Sequence, residues 1–169
     1  ERENDDHNFG AHYKEWAREG HIKICEGNDI DLSLVARWFL ELKKDYNINL
    51  YKCGYDQKFS NEFLKTMEDF GWSKKYGDLE IVLQNAQTLN NALLLCERDL
   101  KSKVINYNEN PVDRWCFSNS ILKINSYRQG RIVKNRNGEK IDGAVTLVSL
   151  YEMFRRYRNE LKAISERRC

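Results

Sequence analysis

Apolar residues along this chain switch between two periods, and the switches predict its elements. Phe9, Tyr13 and Trp16 recur at helical spacing and predict a short helix over 8–18, ended by Gly20. His21-Ile-Lys-Ile-Cys25 alternates and predicts a strand, closed by Glu26-Gly27-Asn28. Asp31 is a suitable N-cap for a helix through about Tyr46, whose apolar face is Val35, Trp38, Phe39, Leu42 and Tyr46. Ile48 to Tyr55 predicts a buried strand that leads to Asp56. Ser60 caps the next helix, which carries Phe63, Leu64, Met67 and Phe70 and stops at Gly71. Glu80-Ile-Val-Leu-Gln84 predicts a second buried strand. Strand, helix and strand within about 35 residues make a βαβ unit, which implies a parallel pair.

The second half reads similarly. A helix is predicted from Leu89 to about Val104, with Leu89, Leu93, Cys96 and Leu100 on one side. Ile105 to Pro111 is turn-rich, and Val112 to about Ser118 predicts a short helix. Ser120–Ile124 and Arg131–Lys134 predict two strands joined by a loop, and Asn137-Gly138 a turn. The last helix is predicted over Gly143 to about Ile164, with Leu147, Leu150, Tyr151, Phe154, Tyr157 and Leu161 facing the core. No repeat or low-complexity segment breaks this alternation, which marks an α/β domain.

Composition narrows the picture. With 169 residues, 41% hydrophobic and 12% aromatic, the chain is long enough for one domain with a real core over 1–169, not a disordered segment. The polar ends, 1–7 and 165–169, are expected to be disordered, and the cut look of both ends suggests a piece of a longer polypeptide. The 28 basic and 26 acidic residues leave a net charge of +2, so any nucleic-acid surface must come from local clustering. Five cysteines without CxxC or Cys/His spacing read as free thiols in a reducing compartment. No signal peptide or apolar run of membrane length occurs, so a cytoplasmic protein without a membrane partner is expected.

Two aspartates carry the candidate chemistry. Asp56 follows a predicted strand, and ligands gather at the carboxyl ends of strands in parallel α/β sheets. It is either a ligand for Mg²⁺, which wants hard carboxylate oxygens, or a residue that turns the chain or caps the next helix. Asp142, in Lys140-Ile-Asp142-Gly143, opens the last helix, where N-capping competes with metal ligation. The two roles are compatible, because a helix N-terminus favours the charged carboxylate that a metal requires. Between them, Arg128, Arg131, Lys134, Arg136 and Lys140 place five basic side chains in thirteen residues. Gly130, Gly138 and two asparagines suggest a mobile loop there, either an ordinary hairpin or a phosphate-binding segment. Arg155, Arg156, Arg158, Lys162, Arg167 and Arg168 read as a solvated helix face. His7, His12 and His21 do not share a helix face, and no GxxxxGK[ST] phosphate loop occurs.

The order of these motifs resembles the nuclease domain of phage terminase large subunits. The resemblance rests on Tyr13-Lys-Glu-Trp16 through Gly20, Gly27 and Asp31, on Gly54-Tyr-Asp56, and on Val82-Leu-Gln84 through Leu89. It continues in Asn110-Pro111 with Trp115 and Ser118-Asn119, and in Ile141-Asp142-Gly143-Ala-Val-Thr-Leu147. It spans roughly Tyr13 to Tyr151. It implies a ribonuclease H-like fold, a mixed sheet flanked by helices, and a domain that cuts concatemeric viral duplex DNA during packaging. The resemblance further implies Mg²⁺ or Mn²⁺ as a two-metal pair, with Asp56 and Asp142 as catalytic carboxylates and metal ligands. The five basic residues from Arg128 to Lys140 would hold the DNA backbone. Expected partners are double-stranded DNA and, in a full-length protein, an ATPase domain, a small terminase subunit and a portal, in the bacterial host cytoplasm.

The family also places a first catalytic aspartate on an early strand, upstream of the Tyr…Trp segment. No strand surrounds Asp5 or Asp6, so one ligand stays unassigned and a weakened enzyme is expected from this chain alone. The rival readings are a resolvase or transposase core of the same fold, and a non-catalytic DNA-gripping or portal-docking module.

Overall fold

The structure is a computed structural model, and it describes residues 10–27, 29–58 and 60–166. The expectations placed on Asp5, Asp6, His7, Asn8, Phe9, Asn28 and 167–169 lie outside the described residues. In chain order the elements are α1 (Tyr13–Arg18), α2 (Ser33–Tyr46), β1 (Cys53–Tyr55), α3 (Asn61–Asp69), β2 (Leu79–Ile81), α4 (Ala86–Lys101), α5 (Pro111–Ser118), β3 (Ser120–Ile124), β4 (Gly130–Lys134) and α6 (Asp142–Glu166). The chain divides into two compact units, Glu1–Ile24 with Asn85–Glu152, and Cys25–Gln84 with Met153–Cys169. None of the described helices is long and apolar enough to cross a membrane.

In the first unit, Asn85 caps α4 by accepting the Thr88 N–H (2.8 Å), and Leu89, Ala92 and Cys96 form its buried side. Asn110 caps α5 by accepting the Val112 N–H (2.9 Å), with Pro111 at the start where no N–H is needed. Trp16 of α1 packs on Trp115 of α5 with ring centroids 5.5 Å apart, and Tyr13 meets the same ring edge-on at 5.9 Å. The β3–β4 pair is antiparallel, from Ser120 opposite Lys134 to Ile124 opposite Gly130. Asn90 of α4 holds its second strand by accepting the Gly130 N–H (2.9 Å). Tyr151 of α6 donates to Asp99 of α4 (2.9 Å), which also accepts from Arg98 (2.8 Å).

The second unit is the predicted βαβ unit. β1 and β2 run parallel, with Gly54 opposite Glu80. Ala36, Tyr55, Leu64, Met67 and Leu79 form one core, lined by Phe39, Leu50, Phe63, Phe70 and Trp72. On the other side, Met153 of α6 packs against Gly54 and Val82. Arg156 donates to the Ile81 carbonyl (3.0 Å), Tyr157 hydrogen-bonds Glu80, and Tyr51 donates to Glu160 (2.6 Å). Arg156 is exposed, as its sequence context suggested, and its guanidinium also stands 3.7 Å from the Glu80 carboxylate.

Several sequence expectations need correction. His21–Cys25 is not a strand: the His21 N–H returns to the Trp16 carbonyl (2.8 Å), and the segment pairs with no strand among the described residues. The strand expected over Ile48–Tyr55 keeps only Cys53–Tyr55, because its partner β2 is three residues long. Ser60 stands at the cap of α3, but its side chain makes no capping bond and its hydroxyl donates instead to the Gln57 carbonyl. Asp31 does act at the start of α2, accepting the Ser33 N–H (2.9 Å) from one residue before the cap position. In α2 the fully buried residue is Ala36 and the predicted Phe39 packs against the same core, while Trp38 and Tyr46 are 53% and 71% exposed. In α6, Ala144, Val148 and Met153 are buried and Leu150 and Phe154 are not. In both helices small residues make the closest approach, which a reading weighted towards large apolar side chains misses. α6 also continues through 165 and 166, where disorder was expected.

Four cysteines, Cys25, Cys53, Cys96 and Cys116, are free thiols, as their spacing implied. Burial pushes Cys53 and Cys96 up to about 11. Tyr55 carries a buried hydroxyl with no hydrogen-bond partner among the described residues, inside the core beside Phe63. An unsatisfied buried hydroxyl costs about 1–3 kcal/mol. Tyr55→Phe is therefore expected to hold or raise stability, by up to about 1 kcal/mol. A lower urea midpoint for the variant would show that the hydroxyl has a partner after all.

Candidate functional site

Asp56 directly follows β1. The Tyr55 carbonyl accepts the Val82 N–H (2.9 Å) as the last rung, and the chain then turns. Asp56 assists the turn: its Oδ1 accepts the Lys58 N–H at 3.0 Å, and its side chain is exposed. The turn-forming role predicted for it is present, and it occupies one carboxylate oxygen.

Asp142 is different. The first rung of α6 is the Val145 N–H to the Ile141 carbonyl (3.0 Å), so Ile141 holds the cap position and Asp142 is the first residue inside the helix. The capping role expected of Asp142 is not taken up, since a cap must lend its own carbonyl to the first helical bond. Its carboxylate is exposed and makes no hydrogen bond or ion pair among the described residues.

Gly143 explains how this helix start is approached. A Cβ built there would lie 2.8 Å from Asp113 Oδ1 and 3.3 Å from Cys116 Sγ, so glycine lets α5 close on α6. The Cys116 thiol is pushed up chiefly by burial and further by Asp142 and Asp113, against the Gly143 and Ala144 N–H groups that lower it. Asp113 is thus a second carboxylate beside the α6 start that sequence reasoning passed over. The signal was the Asn110-Pro111 start, which fixes Asp113 as the third residue of α5.

The basic stretch is more ordered than its glycines suggested. Arg128 lies in the hairpin turn at φ +59°, Arg131 and Lys134 lie on β4, and Arg136 in the turn that follows. Gly130 is buried in the strand and is no hinge: a Cβ there would stand 2.8 Å from Leu122 and 3.1 Å from Leu93. Gly138 does supply a left-handed turn, at φ +91°. Buried Glu139 ties that turn by accepting the Arg136 N–H (2.7 Å).

Asn119, also buried, closes the connection to Asp142. Its Nδ2 donates to the Lys140 carbonyl (3.1 Å), and its own carbonyl accepts the Asn135 N–H (2.9 Å). Asn119→Ala removes the Lys140 carbonyl's donor and should cost about 1–3 kcal/mol. A thermal melt equal to that of the unsubstituted chain would refute this. Among the described residues neither His12 nor His21 gathers other ligands; each faces one glutamate at the surface, at 3.7 and 3.6 Å.

In kind, the donor set suits a hard divalent cation, because both candidate ligands are exposed carboxylates. In number it is sparse: among the described residues no group of three or more His, Cys, Asp or Glu is arranged to hold a metal ion. Asp142 and the basic stretch belong to the first unit, and Asp56 belongs to the second.

Comparison with known proteins matches residues 3–158 to the family model described as "Terminase large subunit, endonuclease domain". Among solved structures, the chain is similar to the crystal structure of the large terminase of bacteriophage HK97. That match has a TM-score of 0.76 and 21% identity, and covers 89% of this chain and 30% of the HK97 chain. The chain therefore spans about a third of that protein's length. No curated protein matches. The fold is the α/β, ribonuclease H-like one of terminase nucleases, with a parallel and an antiparallel strand pair among flanking helices.

Proposed function

The chain belongs to the terminase large-subunit endonuclease-domain family, and on that premise we propose that it hydrolyses phosphodiester bonds of concatemeric phage DNA during genome packaging. The observation that carries this reading is the family match over 3–158, which includes every candidate site residue. The ligands we propose are Asp56 and Asp142, and the cation is Mg²⁺ or Mn²⁺. Asp56 and Asp142 would be its carboxylate ligands, and the bound metal would supply positive charge to activate the attacking water and stabilise the leaving oxygen.

The rest is the work of this chain's own side chains. Asp142 offers a carboxylate that no protein group occupies among the described residues, so binding a cation breaks no existing hydrogen bond. Asp56 offers its second oxygen while the first holds the turn. Arg128, Arg131, Lys134, Arg136 and Lys140 neutralise phosphates and set the register of the DNA without reading its sequence. Asn119 positions Lys140, and with it the segment that delivers Asp142. The partners of this reading are double-stranded DNA and, in the full-length protein, an ATPase domain, a small terminase subunit and a portal. The place of action is the host cytoplasm. We further propose that the 169 residues act as one nuclease domain.

The test is cleavage of supercoiled plasmid in Mg²⁺ and in Mn²⁺, with EDTA as the control. Metal-dependent linear or nicked product supports the reading. DNA binding that is indifferent to metal and yields no product would favour a DNA-gripping module. A preference for branched over linear DNA would favour a resolvase-type core.

A further inference from the structure

The β3–β4 hairpin carries a charge arrangement that its own fold does not explain. Its register sets Lys123 directly opposite Arg131 and Ile121 opposite Val133 on one face. Leu122 with Ile132, and Ile124 with Gly130, occupy the other. That second face meets α4, through the Asn90 hydrogen bond to Gly130 and the approach of Leu93 to Gly130. The Lys123–Arg131 pair therefore points away from α4, and both side chains are exposed.

Like charges directly opposite each other in an antiparallel pair repel, and their Cβ atoms stand only about 4.5–5.5 Å apart. Among the described residues neither cation has an ion pair or side-chain hydrogen bond. The fifteen residues from Ser120 to Lys134 contain four basic side chains and no acidic one. An anion between the two cations would relieve the repulsion.

The tip adds a second feature. Tyr127 is 83% exposed. Its turn is nevertheless tied down: Asn125 Oδ1 accepts the Tyr127 and Gln129 N–H groups (3.0 and 2.9 Å), and the Asn125 N–H donates to the Gln129 carbonyl (2.9 Å). Arg128 beside it adopts a left-handed conformation. An aromatic ring held out on a fixed turn among cations has the chemistry of a base-stacking platform.

We propose that the outward face of this hairpin grips a DNA strand, with Lys123 and Arg131 sharing a phosphate and Tyr127 stacked on an adjacent unpaired base. The inference rests on the nuclease reading and deepens it: the duplex is gripped most tightly where a base pair is locally opened. Lys123 and Tyr127 become DNA-contacting residues that the stretch starting at Arg128 did not include.

The experiment measures binding by fluorescence anisotropy to two duplexes of one length, one fully paired and one with two mismatched pairs carrying 2-aminopurine. The chain should bind the mismatched duplex more tightly and quench the 2-aminopurine. Tyr127→Ala should weaken binding to the mismatched duplex by about 5- to 150-fold and abolish the quench, with Tyr127→Phe within about twofold of the unsubstituted chain. Lys123→Ala should flatten the log–log salt dependence on the paired duplex by about 0.9, while Lys44→Ala, on α2, leaves it unchanged. Without DNA, Lys123→Ala should melt at or above the unsubstituted midpoint, because a repulsion is removed. Equal losses on both duplexes for Tyr127→Ala, or an unchanged slope for Lys123→Ala, overturn the inference while metal-dependent plasmid cutting still upholds the nuclease reading. A chain that neither binds nor cuts DNA overturns both.

Discussion

Asp142→Asn is expected to lower metal-dependent plasmid cutting by about a hundredfold or more, with the fold intact. Substitutions of groups that merely support metal ligands already cost 10–100-fold, so loss of a ligand's charge should cost at least about that. The amide has nearly the shape of the carboxylate, and Asp142 makes no hydrogen bond among the described residues that the change would break. The helix start is unaffected as well, because its first rung belongs to Ile141 and Val145. The lost favourable interaction with the helix dipole should be only about 0.3–1 kcal/mol. Asp56→Asn is expected to behave in the same way, since an amide oxygen can still accept the Lys58 N–H. If both carboxylates serve one reaction, the double variant should cut no more slowly than the worse single one. The measurements are nicking rates in Mg²⁺ and Mn²⁺ beside far-ultraviolet circular dichroism. Cutting within about threefold of the unsubstituted rate for Asp142→Asn would remove that residue from the site.

The second large effect is on stability. Gly54→Ala should destabilise the chain by about 1–2 kcal/mol. Its Cβ would stand 2.7 Å from Met153 Cγ and 2.8 Å from Val82 Cγ2. Overpacking of this kind costs about 1–3 kcal/mol, offset by about 0.4–1 kcal/mol from the stiffer unfolded chain. Val82 is fully buried and β-branched, so it has little freedom to rotate away. Met153 is flexible, but it sits on a helix pinned to β2 by the Arg156 and Tyr157 hydrogen bonds. In a chain of this size the loss corresponds to a fall of roughly 2–8 °C in melting temperature. A double-mutant cycle with Met153→Ala separates this clash from a generic effect. The two changes should couple by about 0.5 kcal/mol or more, because the truncated side chain leaves room for the new methyl. Strict additivity would place the strain elsewhere.

The parts of this protein that depend on neighbours in sequence were legible from it. The βαβ unit, its parallel pairing, the short helix expected from Val112 and the hairpin over 120–134 all follow from period and turn chemistry acting within a few residues. The order of motifs around Asp56 and Asp142 also carried the family assignment. Which residues face the core of α2 and α6 was legible only in part, as with Phe39. There Ala36, Ala144 and Val148 are buried in place of Trp38, Leu150 and Phe154, because close packing depends on what lies across the interface and periodicity does not report it. The strand expected at His21 failed for a related reason: alternation supplies a face, but a strand also needs a partner for its hydrogen bonds.

The chemistry divides along the same line. Residue types and order alone determined that two aspartates and a basic stretch are the candidates for metal and phosphate. Only the folded chain decided that Asp142 makes no hydrogen bond among the described residues while Asp56 spends one oxygen on a turn. It also decided that Gly130 is a packing glycine, not a hinge, and that Lys123 stands opposite Arg131. Hydrogen-bond partners and cross-strand neighbours are set by register and by contacts between residues far apart in the chain, and no local pattern encodes them.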